Sequence, residues 1–217
     1  QNLLVRSQAL YPVELQAHMY QISNKVLYLK DLNLYISLMS NSVVITSALR
    51  TAVGSLGKSL KNVPAYELGS AVISKNIEKS KIKNNEVDEI IMGQVLTGGA
   101  GQNPARQALI KSGIPIEKPA YLVNQVCGSG IRSVASGFQS IKSGDSQIVI
   151  AGGQESMSLA PHAIHLRDGK KLGDIELTDT MIKDGLWDAF NGYHMGVTAE
   201  NVATKFQVTR DQQDKFA

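Results

Sequence analysis

The sequence predicts an α/β fold in which helices cover a mainly parallel β-sheet. Apolar runs of strand length alternate with segments whose apolar residues recur at helical spacing, and turns rich in glycine or proline separate them. Alternation of this kind implies right-handed crossovers between parallel strands. At 217 residues, with 43% hydrophobic and 19% charged residues, the chain has the size and composition to bury such a core.

Four segments have the composition of strands. Residues 43–47 form a short β-branched run, and residues 89–96 and 121–126 are apolar segments that each precede a helical pattern. We expect the segment 121–126 to be a buried strand, because short apolar runs are typical of buried strands. The fourth strand, residues 147–151, ends in a pair of glycines.

Three helices are predicted beside these strands, and local start and stop signals mark them. Pro64 fits the first turn of the first helix. Asn103 as N-cap, Pro104 at the first helical position and Gly113 as a stop define the second helix, and Gly144 closes the third. The apolar residues at helical spacing are Ala65, Leu68, Val72 and Ile77 in the first helix, and Ile131, Val134, Ala135, Phe138 and Ile141 in the third.

The two ends of the chain depart from this pattern and predict a division into three parts. Residues 1–38 contain no glycine, show no sustained period and do not begin with Met, so we expect an extension outside the fold. Its origin is read-through from upstream, a cloning remnant or a genuine appendage. Residues 39–156 form the predicted α/β unit. Residues 157–217 begin with short charged pieces that indicate an excursion, and end in two helical segments, the second capped by Thr209.

Cys127 is the single cysteine of the chain and lies at the predicted turn from the third strand into the third helix. The N–H groups and the positive dipole end of a helix favour a thiolate, which is the form that attacks carbonyl carbons. Gly128 and Gly130 leave space beside the sulfur. Spacing alone keeps two interpretations open, an inert buried cysteine and a nucleophile.

Composition excludes several other classes of function. The formal net charge of +3 comes from basic and acidic residues spread along the chain, which argues against a nucleic-acid partner. A single cysteine permits no internal disulfide and favours a cytoplasmic setting, and no apolar run reaches the ~20 residues needed to cross a membrane. His162 and His165 lack the companions of a metal site, and the glycines at 98–101 are interpreted as a turn.

Several motifs together resemble the thiolase family. Asn-Gln-Val-Cys-Gly-Ser-Gly at 124–130 is similar to the family's amino-terminal active-site signature. Other matches follow in the expected order at 47–51, 101–107, 151–158, 165–186 and 193–201, with Gln154 where Met is common. The matches cover residues 39–217 and resemble the amino-terminal half of the bacterial biosynthetic branch. They favour the nucleophile interpretation of Cys127.

The resemblance implies an acyltransferase that condenses two acetyl-CoA to acetoacetyl-CoA and CoA. Cys127 would carry the acetyl group as a thioester, and its backbone N–H would serve an oxyanion site. By the same resemblance Leu186, His194 and Met195 would line the channel for CoA and the acyl group. CoA thioesters would be substrates, so no separate cofactor is expected, and the family's members are dimers or tetramers.

The sequence departs from the family in one large respect. Thiolases resemble two fused copies of one α/β unit, and the motifs of the second copy, a Gly-His-Pro histidine and a second cysteine, have no match here. We therefore expect this chain alone to be catalytically incomplete. The alternatives are a degradative 3-ketoacyl-CoA thiolase, a decarboxylating ketoacyl synthase, and a non-catalytic truncated product or subunit that needs a separate carboxyl-terminal half.

Overall fold

The fold is built on a five-stranded sheet in a computed structural model that describes residues 2–8 and 42–217. The strands lie in the order β2-β1-β5-β3-β4. β3 pairs in parallel with β4 and β5, whereas β1 is antiparallel to both β2 and β5. All strands except β1 therefore run in one direction, which confirms the predicted mainly parallel sheet. The strands are β1 (Asn2–Gln8), β2 (Ser42–Leu49), β3 (Glu89–Gly93), β4 (Ala120–Val123) and β5 (Ile148–Gly153).

Strand β1 places residues 2–8 of the predicted extension 1–38 within the sheet. Its backbone pairs along β2 on one side, with a break in register between Leu4 and Val5, and residues 3–6 pair with residues 148–151 of β5 on the other. Backbone pairing needs no periodic pattern of side chains, and an extended segment between two strands satisfies the N–H and C=O groups of both. The prediction for residues 9–38 lies outside the described residues.

Helices cover both faces of the sheet. On one face, α1 (Ala65–Ser80) and α2 (Pro104–Lys111) pack against alternate residues of β3, and on the other α3 (Ser129–Ser143) packs against the residues between them. The period of two along a strand sends Ile90 and Met92 to the first face and Ile91 to the second. The first core also contains Ile73, Leu109 and Ile150, and the second contains Ile141, Val149 and Ala151.

The predicted caps of the helices are confirmed. The Asn103 side chain accepts a hydrogen bond from the N–H of Arg106, and Pro104 is the first residue of α2. Gly113 and Gly144 take φ values of 82° and 88° after α2 and α3, a left-handed backbone that glycine adopts without strain. Pro64 immediately precedes α1, one residue before its predicted place, which is within the usual spread of helix boundaries.

Two strands are shorter than predicted, and one is not buried. β3 ends at Gly93 rather than residue 96. The N–H of Gln94 still donates to the Val123 carbonyl of β4, but the N–H groups of Val95 and Leu96 donate to the carboxylate of Glu155 instead of to a strand. β4 ends at Val123 rather than residue 126. It is an edge strand of the sheet, so Tyr121 is 39% exposed and the expectation of a buried strand is wrong.

Residues 157–217, the predicted excursion, contribute no strand to the main sheet. Two short strands, β6 (His162–Ala163) and β7 (Thr178–Asp179), pair with each other, and a π-helical turn spans Met181–Leu186. The chain continues through α4 (Met195–Phe206) and α5 (Arg210–Phe216), and Thr209 caps α5 as predicted. None of the helices in the described residues combines the length and the apolar character that a membrane span requires.

Candidate active site

A tight turn between β4 and α3 presents Cys127 at the surface. The N–H of Gly128 donates to the Gln125 carbonyl and the N–H of Ser129 donates to the Val126 carbonyl, both at 3.0 Å. Val126 has φ of 47°, a left-handed conformation that is rare for a β-branched residue. Cys127 is exposed, so the described structure does not support the interpretation of an inert buried cysteine.

Glycines at the ends of two strands let α3 approach the sheet backbone to backbone. A Cβ on Gly93, the last residue of β3, would lie 2.4 Å from the carbonyl carbon of Ser129 and 2.6 Å from the nitrogen of Gly130. At the end of β5, a Cβ on Gly153 would lie 3.4 Å from the Cα of Gly130. The first turn of α3 therefore rests directly on the carboxyl edge of the sheet, which is where parallel sheets place their active residues.

Cys127 lines an open cleft of about 810 Å³ at this edge. Arg50 follows β2 and Glu155 follows β5, so the cleft collects residues that leave the carboxyl ends of different strands of the sheet. Neither was among the predicted site residues, although both follow the ends of predicted strands, where parallel sheets place their active residues. The apolar part of the lining includes Val126, Ile131, Met157, Met181 and Leu186.

Glu155 organises one wall of the cleft. Its carboxylate accepts hydrogen bonds from the N–H groups of Val95 at 2.8 Å and Leu96 at 3.2 Å. Burial raises the pKa of Glu155, and this effect exceeds the opposing effect of its hydrogen bonds to the backbone. Glu155 therefore fixes the loop that leaves β3, at the cost of burying a carboxylate.

Gln154, the departure from the family's usual Met, joins a buried polar pair beside the cleft. Its Nε2 donates to Oε1 of Gln94 at 2.9 Å, and Nε2 of Gln94 donates to the Leu96 carbonyl at 3.0 Å. The Oε1 of Gln154 lies only 2.0 Å from the position of a Cβ on Gly69, so a larger residue at position 69 would displace the Gln154 amide. These two amides, which also line the cleft, thus tie the ends of β3 and β5 to each other.

A family model described as the thiolase N-terminal domain matches residues 43–217. The chain belongs to the thiolase family. The match begins at the second residue of β2 and includes the turn at Cys127 and the whole cleft. The expected fold class, the amino-terminal α/β unit of this family with a mainly parallel sheet, is confirmed.

Several curated proteins resemble this thiolase-family chain over about four fifths of its length. It is 59% identical over 180 residues to the acetyl-CoA acetyltransferase of Rhizobium meliloti (strain 1021), which covers 82% of this chain and 46% of that protein. It is 59% identical over 174 residues to the protein of the same name from Paracoccus denitrificans, covering 80% and 44%. It is 53% identical over 178 residues to the cytosolic acetyl-CoA acetyltransferase of Rattus norvegicus, covering 82% and 45%. The chain thus spans about half the length of these relatives.

The structure brings only two of the four proposed site residues together. Cys127 and Leu186 line the same cleft, whereas His194 and Met195 are not among its lining residues. His194 caps α4, and its Nδ1 accepts a hydrogen bond from the N–H of Gly196 at 3.0 Å. Met157 and Met181, which the sequence analysis did not select, lie in the cleft instead of Met195.

The cleft of this thiolase-family chain offers few groups that could move a proton. In the part of the chain that the structure describes, its ionisable lining residues are Arg50, Cys127 and Glu155, and no histidine lines it. The guanidinium of Arg50 has hydrogen-bond donors but no acceptor, and the carboxylate of Glu155 is engaged by two backbone N–H groups. The described cleft therefore combines a thiol with apolar walls, without a histidine beside the sulfur.

Proposed function

We propose that the chain supplies the acyl-accepting nucleophile, Cys127, of an acetyl-CoA acetyltransferase. The observation that carries this proposal is the exposed thiol at a strand-to-helix turn, which opens into a largely apolar cleft. The names of the relatives support acetyl-CoA as the substrate, at 52–59% identity among eight of them. CoA thioesters are the substrates in this proposal, and no further cofactor takes part.

The first half of the reaction transfers an acetyl group to Cys127. The thiolate attacks the thioester carbonyl carbon, a bond forms between that carbon and Sγ, and the bond to the CoA sulfur breaks. CoA leaves as a thiolate and takes a proton. One thioester replaces another, so the exchange is close to neutral in free energy. The backbone N–H of Cys127 is proposed to donate to the carbonyl oxygen as negative charge develops on it.

The second half requires a base that the cleft described above does not contain. A second acetyl-CoA must lose a proton next to its carbonyl, and the resulting enolate carbon attacks acetyl-Cys127. A carbon–carbon bond forms and the Cys127 thiolate leaves, which gives acetoacetyl-CoA. Because the ionisable lining is limited to Arg50, Cys127 and Glu155, we propose that the described residues do not complete this half. Leu186, His194 and Met195 are proposed to line the substrate channel in the complete enzyme.

The outer face of α3 supports association with another polypeptide segment, either a separate carboxyl-terminal half or a second copy of the chain. Ile131 is 72% exposed and Phe138 is 46% exposed, both on a helix whose other face packs on the sheet. Large apolar side chains exposed next to a cleft are typical of interaction surfaces. We therefore propose that the active form is an oligomer.

Isotope exchange separates the two halves of the proposed reaction. Exchange of labelled CoA into acetyl-CoA needs only the first half, so the chain should catalyse it and Cys127→Ser should abolish it. Cleavage of acetoacetyl-CoA by free CoA needs both halves, so the chain alone should turn over poorly. Exchange that survives in Cys127→Ser would refute the nucleophile, and robust cleavage that depends on Cys127 would refute the proposed incompleteness. A rate of CoA exchange that rises with the length of the acyl chain would favour the degradative 3-ketoacyl-CoA alternative.

A further inference from the structure

Val126 is held in its left-handed conformation by two side chains. The Asn124 Oδ1 accepts a hydrogen bond from the N–H of Val126 at 2.9 Å. The Ser129 hydroxyl donates to the Val126 carbonyl at 2.6 Å and accepts from the N–H of Gln125 at 2.8 Å. Both backbone polar groups of Val126 are therefore bound to the residues that surround the turn.

A β-branched residue at φ of 47° is strained, and such strain persists only where the surroundings determine the backbone. Val126 is 46% exposed, so packing of its own side chain does not hold it there. Ser129, in contrast, is 4% exposed and has the backbone of Gly93 against it. A fixed hydroxyl on the first residue of α3 can thus impose the conformation of the residue just before Cys127.

We propose that Ser129 is a positioning residue that, together with Asn124, keeps Val126 left-handed and so directs the Cys127 thiol into the cleft. A hydroxyl can donate to one backbone group and accept from another through a single atom, as the Ser129 oxygen does. The same bonds exclude Ser129 as a nucleophile, because its proton is committed to the Val126 carbonyl. The inference rests on the proposed function only in that Cys127 is the group being positioned.

The reactivity of the single thiol tests the proposal without any CoA substrate. The measurement is the second-order rate constant for alkylation of the folded 217-residue chain by iodoacetamide, followed by intact mass. Ser129→Ala should slow alkylation by about threefold or more, because the thiol loses its fixed, exposed place at the start of α3. In 8 M urea, a denaturing concentration, all variants should react at about the same rate, because no native turn remains.

Ser133→Ala is the matched control. Ser133 is a buried serine one turn further along α3, and its hydroxyl contacts the carbonyl oxygens of Gly130 at 2.7 Å and Gly152 at 2.6 Å. The substitution removes equivalent hydrogen bonds but leaves the turn at Cys127 intact. Its alkylation rate should therefore match that of the unmodified chain. If Ser133→Ala slowed alkylation as much as Ser129→Ala does, the effect would reflect general destabilisation, and the proposal would be overturned.

A second substitution distinguishes positioning from stability. Asn adopts the left-handed conformation far more readily than Val, so Val126→Asn combined with Ser129→Ala should recover most of the alkylation rate. Recovery supports the proposal, and its absence overturns it. If Ser129→Ala does not fold, the exposed Asn124→Ala carries the test, and an unchanged alkylation rate there also overturns the proposal. If the substitutions change the alkylation rate as expected but acetyl-CoA does not acetylate Cys127, the proposed function is refuted and the positioning role stands.

Discussion

Gly93→Ala is the substitution that most directly tests how the sheet supports the reactive turn. An added Cβ would lie 2.4 Å from the Ser129 carbonyl carbon and 2.6 Å from the Gly130 nitrogen, both backbone atoms of α3. To restore ordinary van der Waals contact, the start of α3 would have to withdraw by about 1 Å, and overpacking of this kind typically costs about 1–3 kcal/mol of unfolding free energy. A displacement of about 1 Å also costs up to ~100-fold in rate where geometry is tight.

Urea unfolding and CoA exchange measure the two effects of Gly93→Ala separately. Gly130→Ala is its control within the same contact, because a Cβ on Gly130 would lie 3.8 Å from its nearest neighbour, the nitrogen of Gly153. Gly130→Ala should leave stability unchanged or increase it, since alanine is the better helix former by up to about 1 kcal/mol. Equal stability of Gly93→Ala and the unmodified chain, or a larger loss in Gly130→Ala, would refute the packing argument.

Three further predictions concern other parts of the fold. Because burial raises the pKa of Glu155 above its ordinary 4.5, the folded state binds more protons than the unfolded state above that pH. The stability that protonated Glu155 contributes to the folded state should therefore decline as the pH rises through the raised pKa. The unfolding free energy of Glu155→Gln relative to the unmodified chain should increase over the same window, and a flat difference would contradict the shift. Asn103→Ala should lower the unfolding free energy by about 1–2 kcal/mol in urea unfolding, because it removes the cap of the buried α2. This loss should exceed that of Thr209→Ala, which removes the cap of the exposed α5. The reverse order would be inconsistent with the burial of these helices. Cys127→Ser should change stability by less than about 0.5 kcal/mol, because Cys127 is exposed, and a larger loss would indicate a structural role.

The ends of the helices were predictable from the residues at those positions. Asn103, Pro104, Gly113 and Gly144 set helix ends through their own backbone preferences, and the structure has each of them in the predicted role. The turn at Cys127 was predictable for the same reason, since a strand segment gives way to a helical period within a few residues. Signals of this kind lie within one segment of sequence, so no tertiary contact is needed to read them.

Features that depend on contacts between distant segments were not predictable in this way. The position of β1 between β2 and β5 depends on backbone pairing, which leaves no periodic pattern in its sequence. The early end of β3 depends on Glu155, about 60 residues later. Likewise, the first part of α3 packs on the sheet through the small residues Ser129 and Ser133, so Ile131, which belongs to the apolar stripe that predicted the helix, is exposed.

The candidate site was likewise predictable only where local sequence determines it. Cys127 was selected from its position and its motif, but the cleft also contains Arg50 and Glu155, which only the sheet topology brings to the same edge. The strained φ of Val126 has no signal in the sequence, because valine disfavours it and distant as well as local groups enforce it. His194 and Met195 were selected by resemblance alone, and in the described structure they cap and begin α4 away from the lining of the cleft.

Transfer of an acetyl group to Cys127 is the most direct test of the central claim. The chain is incubated with labelled acetyl-CoA, digested and mapped by mass spectrometry, and free CoA is then added to recover the label as acetyl-CoA. The account predicts one acetyl group, located on Cys127, removed by CoA and absent from Cys127→Ser. Label on any other residue, or none on a folded chain whose Cys127 reacts with iodoacetamide, would contradict it.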